Sequence, residues 1–191
     1  MGSNMSSQGN FVARVLDRIK VWNGGQKKNA SGTERKSSGR KPAPEPLRNT
    51  RNLNKERQNE LNRQLLDAAK NGEDDKVERL LKRKADVNAT DNATRSALMK
   101  AARKGHTNIV RLLIGKGANV NAKDYDNVTV LMGAVVGGNK EIIELLIRKK
   151  ADVNAKNKNN RTVLDYAERA HKTEVTELLR MQGAKLGSEL P

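Results

Sequence analysis

The chain has 191 residues, 35% hydrophobic and 31% charged, which suits one domain of modest size together with some chain that stays unfolded. With no cysteine, disulfide frameworks, thiolate metal sites and thiol nucleophiles are excluded; His106 and His171 lie 65 residues apart without His-x-x-x-His spacing, and no glycine-rich phosphate loop is present. No run of about 18 apolar residues and no secretory signal is readable. The net charge of +16 attracts acidic proteins, nucleic acids and anionic lipid alike, and residues 1–60 hold half of it, with 13 Lys/Arg against 5 Asp/Glu.

Residues 1–22 read as an amphipathic segment. Phe11, Val12, Val15, Leu16, Ile19 and Trp22 recur at helical spacing, with Arg14, Asp17, Arg18 and Lys20 between them. Three readings of that helix stand side by side: one lying on an anionic membrane, one held in a partner's groove, and one folded back on the rest of the chain. Gly2 and Ser6 fit the N-myristoylation pattern, although Met5 serves equally well as a start. A single myristoyl chain binds membranes only marginally, at about 10⁴ M⁻¹, so a basic amphipathic helix would supply the second signal. Gly2, Phe11, Val15, Ile19 and Trp22 are therefore the candidate anchor to membrane or partner.

Residues 23–57 contain Gly24-Gly25, Ser37-Ser38-Gly39, Pro42, Pro44 and Pro46 and almost no large apolar residue, which predicts a disordered basic linker. A weak helical pattern over 53–64 predicts a lead-in to the folded domain.

From there the sequence repeats. Ala85-Asp86-Val87-Asn88-Ala89 returns as Ala118-Asn119-Val120-Asn121-Ala122 and as Ala151-Asp152-Val153-Asn154-Ala155. The period of 33 also holds for Leu65, Leu98, Leu131 and Leu164, for Ala68, Ala101, Ala134 and Ala167, and for Leu80, Leu113, Leu146 and Leu179. Each period reads as two short helices and an extended turn. Ser96 caps a helix over 96–104 that Gly105 ends, and a second helix runs over 108–115. Ile109, Val110, Leu112, Leu113 and Ile114 are too many for one apolar stripe, so neighbouring repeats must cover that helix.

With Ser96-Ala97-Leu98-Met99, Thr129-Val130-Leu131-Met132 and Thr162-Val163-Leu164-Asp165 at the Thr-Pro-Leu-His position, the chain resembles an ankyrin-repeat protein. The resemblance implies an all-α solenoid of helix–turn–helix pairs over 58–187, with four repeats, the outer two serving as end caps, and a short tail over 188–191. Lys76 and Arg79, standing where Ile109 and Leu112 stand, and Arg180, at the register of Leu81, Ile114 and Ile147, fit solvated ends. Thr94, Asn127 and Asn160 replace the glycine of the family's turn. Threonine is strained in a left-handed conformation, so the turn at Thr94 is expected to differ.

In the family, partners are gripped by the turn tips and the exposed side of each first helix, on the concave face. Carried over position by position, that implies a partner-binding strip of Lys70, Asn92, Arg95, Arg103, Lys104, Tyr125, Asp126, Val128, Val136, Lys158, Arg161 and Arg169. Its ends are basic and its middle is apolar, an arrangement suited to an acidic segment carrying a hydrophobic residue. His106 is assigned a structural role, Asp165, Tyr166 and Glu168 a solvated cap face, and Asn88, Asn121 and Asn154 the task of tying down the turn backbone.

The expected function is a non-enzymatic adaptor, scaffold or inhibitor, monomeric alone and needing no cofactor or metal, that holds an acidic protein. The alternative is a nucleic-acid-associated protein whose basic arm binds phosphate while the repeats recruit a second protein. Glycosylation sequons opening at Asn88, Asn92, Asn127 and Asn160, on or beside the binding turns, favour a cytoplasmic location, with nuclear residence or delivery into a host cell also compatible.

Overall fold

In a computed structural model, which describes residues 48–190, the 33-residue period becomes a stack of helix pairs. The pairs are α1 (Arg48–Asn71) with α2 (Asp74–Lys82), α3 (Ala97–Lys104) with α4 (Thr107–Gly115), α5 (Val130–Gly137) with α6 (Lys140–Arg148), and α7 (Val163–Arg169) with α8 (Thr173–Met181). A 3₁₀ turn, Gly187–Glu189, comes after them. The first helices α1, α3, α5 and α7 pack in one row, and α2, α4 and α6 pack behind them. Leu65, Leu98, Leu131 and Leu164, one per repeat, are buried in the first row; Leu80, Leu113, Leu146 and Leu179 are buried in the second helices. Such helices of seven to nine residues are too short to persist alone, so burial between neighbours is what holds them.

Local chemistry sets their limits. Ser96 Oγ accepts the Met99 N–H and Thr129 Oγ1 the Met132 N–H, both at 3.2 Å, so α3 and α5 begin with satisfied amides. The chain then turns through Gly105 (φ 80°) and Gly138 (φ 78°) in the left-handed region. His171 takes the same role after α7 at φ 51°.

Between repeats the chain forms hairpin tips, with isolated bridges Thr90–Ser96 and Lys123–Thr129. The tips are linked in series: the Tyr125 N–H donates to Ala93 O and the Lys158 N–H to Asp126 O, both at 3.0 Å. The turn at Thr94 does not differ from the others. Its φ of 57° matches Asn127 (59°) and Asn160 (55°), so the cross-linked tip holds threonine in the strained conformation rather than yielding to it.

The turn asparagines do not tie down their own turns, a task that Asp86, Asn119 and Asp152 Oδ1 perform by accepting the Asn88, Asn121 and Asn154 N–H; each asparagine side chain reaches the next repeat. Asn88 Oδ1 accepts the Asn119 N–H (2.8 Å), Asn121 Oδ1 the Asp152 N–H (2.9 Å) and Asn154 Oδ1 the Lys185 N–H (2.9 Å). The other end of each amide donates to Gly117 O, Lys150 O and Gly183 O, respectively. At the front of the stack, where no earlier repeat exists, α1 supplies both bonds from two side chains. Asn62 Oδ1 accepts the Asp86 N–H at 2.9 Å and Gln58 Nε2 donates to Lys84 O at 2.9 Å.

Residues 48–57, assigned to the disordered linker from composition, are instead the first turns of α1. Leu53, Lys55, Glu56 and Arg57 are good helix formers, and the packed half of α1 provides the nucleus from which a helix extends at little cost. The C-terminal residues are also structured. The Gly187 N–H donates to Asp165 Oδ2 (2.8 Å), the Thr162 hydroxyl to Lys185 O (2.6 Å) and Lys156 Nζ to Leu190 O (2.9 Å).

Candidate functional site

The candidate strip lies along the hairpin tips and the first helices. Of its twelve residues eleven are exposed and Val128 is half-buried. They fall into groups.

Lys70 ends α1, Arg103 and Lys104 end α3, and Arg95 and Val128 sit on adjacent tips; these five line one hollow of about 330 Å³ together with Met99, Lys100, Asp124 and Gly133. Cations in the last turn of a helix complement its dipole, which explains why lysine and arginine are stable there. Two of the cations are partly neutralised. Asp91 Oδ2 accepts from Lys100 Nζ at 2.7 Å and from Arg95 Nε at 3.2 Å, while its Oδ1 takes the Ala93 and Arg95 amides. Burial pushes the Asp91 carboxyl up, but the Lys100 ammonium and the two amides outweigh it and hold the group at about 2. Lys70, Arg103 and Lys104 have no ion-pair partner among the described residues.

Tyr125, Asp126 and Lys158 form a second group. Tyr125 is 69% exposed at its tip, with Lys158 Nζ 3.5 Å from the ring centroid and 4.0 Å from Asp126 Oδ1. The cation therefore steadies one face of the ring and leaves the residue open to a partner. Val136, 47% exposed on α5, adds apolar surface in the same repeat. Asn92 instead lines a wider hollow of about 860 Å³ in front of the first tip, with Asn59, Asn62 and Asn88. Gly2, Phe11, Val15, Ile19 and Trp22 lie outside the described residues.

The two glycines of α5 differ. A Cβ on Gly137 would stand 2.5 Å from Arg103 O, so close packing against α3 requires glycine there. A Cβ on Gly133 would meet Arg103 Cβ and Met99 Cγ at 3.8 Å, an ordinary contact, so nothing in the fold requires that glycine.

The non-site assignments divide. His106 is structural: its Nε2–H donates to Lys70 O at 3.1 Å, and its ring fills the space over Gly72, where a Cβ would be 2.7 Å from Cε1. Asp165 and Tyr166 are not a solvated cap face. Asp165 Oδ2 takes the Thr162 N–H at 2.7 Å as well as that of Gly187, and although burial raises its pKa, these bonds bring it below the ordinary carboxyl value. Tyr166 Oη accepts from Asn157 Nδ2 at 3.0 Å, and Glu168 pairs with Arg180 at 2.7 Å. The Thr162-x-x-Asp165 spacing of a capping box signals the bond between those two residues, whereas Gly187 reaches Asp165 from 22 residues away. Lys100, Asp124, Met99 and Gly133 are not in the strip that the sequence implies, because the pairing of residues nine apart emerges only from the geometry of the tips.

Among the described residues no group of three His, Asp or Glu side chains could hold a metal ion, and no helix is long and apolar enough to cross a membrane. A family model described as ankyrin repeats, three copies, matches residues 65–157 and 116–189. The chain belongs to the ankyrin-repeat family, whose repeats are characteristically non-catalytic scaffolds that bind other proteins on the concave face. No curated protein matches the chain.

Proposed function

We propose that the repeats hold an acidic segment of a partner protein along the concave face, with an apolar side chain of that segment seated on Tyr125, Val128 and Val136. The carrying observation is the pairing of an exposed aromatic in the middle repeat with cations on both sides. Lys70, Arg103 and Lys104 stand on one flank, and Arg161 and Arg169 in the last repeat on the other. Exposed aromatics at the centre of a binding face supply affinity, whereas rim charges mainly steer association. In this role the protein is an adaptor, scaffold or inhibitor acting in the cytoplasm.

Titration calorimetry with a partner purified by affinity to the full chain tests this. Tyr125→Ala weakens binding by more than about 1 kcal/mol, while Arg103→Ala and Arg161→Ala mainly slow association and flatten its salt dependence. If all three variants bind like the parent, the partner uses another face.

A further inference from the structure

One register position is filled differently in the middle of the stack. The residue opening each tip, Asp91, Asp124 or Asn157, accepts two backbone N–H groups through Oδ1 at 2.9–3.0 Å. In the outer two cases its second polar atom meets a side chain nine residues later on the first helix. Asp91 Oδ2 meets Lys100 Nζ at 2.7 Å, and Asn157 Nδ2 meets Tyr166 Oη at 3.0 Å. For Asp124 the residue nine later is Gly133, and Asp124 Oδ2 has no hydrogen-bond partner among the described residues. Asp124 and Gly133 line the same 330 Å³ hollow, which occupies the place where a side chain at 133 would stand. That glycine is demanded neither by a positive φ nor by a close neighbour.

We propose that this hollow is a pocket for a tyrosine side chain of the partner's acidic segment, its phenol O–H donating to Asp124 Oδ2. The carboxylates beside that tyrosine pair with Lys70, Arg103 and Lys104. The pocket rests on the concave face being the binding face, and it gives the partner a second anchor beside the apolar one on Tyr125 and Val136. Two side chains already serve this register within the chain, an ammonium at Lys100 that donates to a carboxylate and a phenol at Tyr166 that accepts from Asn157 Nδ2; opposite the Asp124 carboxylate a phenol would donate instead. A further ammonium would enter among the lysines and arginines of the hollow and be repelled, whereas a phenol brings a neutral donor. Its ring would lie against Met99 and Val128, whose thioether and branched methyls suit an aromatic face.

The test is an amide NMR titration of the full chain at low salt with acetylated, amidated hexapeptides of sequence DDEYDD, DDEFDD and DDEKDD. The tyrosine peptide should shift the amides of Asp124, Val128 and Gly133 and bind about tenfold tighter than the other two, as expected for a hydrogen bond to a carboxylate. Gly133→Tyr and Gly133→Lys, which fill the hollow from within, should abolish that preference while circular dichroism shows the helices intact. Equal binding of the three peptides with shifts confined to Arg103 and Lys104 would overturn the tyrosine pocket and leave the acidic-partner reading standing. So would retention of the tyrosine preference by both filled variants, or tighter binding of the lysine peptide. Failure of every peptide to perturb the concave face would overturn both.

Discussion

Gly133 and Gly137 lie one helical turn apart on α5, and the same substitution at each should move stability in opposite directions. Alanine is favoured over glycine in a helix interior by about 1 kcal/mol. At Gly133 the added methyl meets Arg103 Cβ and Met99 Cγ at 3.8 Å and Met99 O at 3.9 Å, so the gain is retained without strain. At Gly137 the methyl would stand 2.5 Å from Arg103 O, 3.0 Å from Arg103 C and 3.1 Å from Ala102 O. All three are backbone atoms of α3, which cannot move aside as a side-chain tip can. Forcing two packed helices apart costs about 1–3 kcal/mol, more than propensity returns at the last residue of a helix. Gly133→Ala should therefore raise the urea midpoint and Gly137→Ala lower it, each by roughly 0.5 M at the m-value of a domain this size, with m itself unchanged. Two shifts of the same sign, or a neutral Gly137→Ala, would refute the packing argument.

Three further outcomes come from the polar contacts. Asp91→Asn keeps both turn bonds, as Asn157 does at the same register, but loses the attraction to Lys100; the folded-state pKa lies below the unfolded one, so this stability is present above about pH 4 and disappears as pH falls toward 2. Thermal melts of parent and variant should therefore differ at pH 7 and converge near pH 2. Thr94→Asn should stabilise by about 1 kcal/mol in urea unfolding, because asparagine adopts a φ of 57° with less strain than a β-branched residue. Asn62→Ala, which strips the Asp86 amide of its acceptor, should destabilise by about 1 kcal/mol, while alanine at the exposed Asn54 should change nothing measurable in the same assay.

The solenoid was legible because its signals are periodic. Leu98 and Leu131 occupy equivalent positions in a stack that repeats every 33 residues, so one period interprets the next. Lys70, Arg103 and Arg169 recur at that same register, near the ends of the first helices. What escaped was whatever breaks the period or returns from a distance. Gln58 and Asn62 have no counterpart in register, since a helix there performs with two side chains what a turn asparagine performs elsewhere. Thr162 and Asp165 form a local capping box, but the second bond to Asp165, from Gly187 folded back beside Asn160, comes from 22 residues away and no pattern around either residue announces it. Gly133 reads in sequence as one more small residue in an apolar helix; only the geometry of Asp91 with Lys100 and Asn157 with Tyr166 turns it into a missing partner.

That partners are held on the face carrying Tyr125 and Val136 is tested most directly by site-specific photocrosslinking in living cells. A photoreactive residue is placed at Val136 on the concave face or at Glu144 on α6 behind it. A discrete adduct is expected from position 136, lost when Tyr125→Ala is added, and none from 144. Adducts from 144 alone, or from 136 without dependence on Tyr125, would contradict binding on that face.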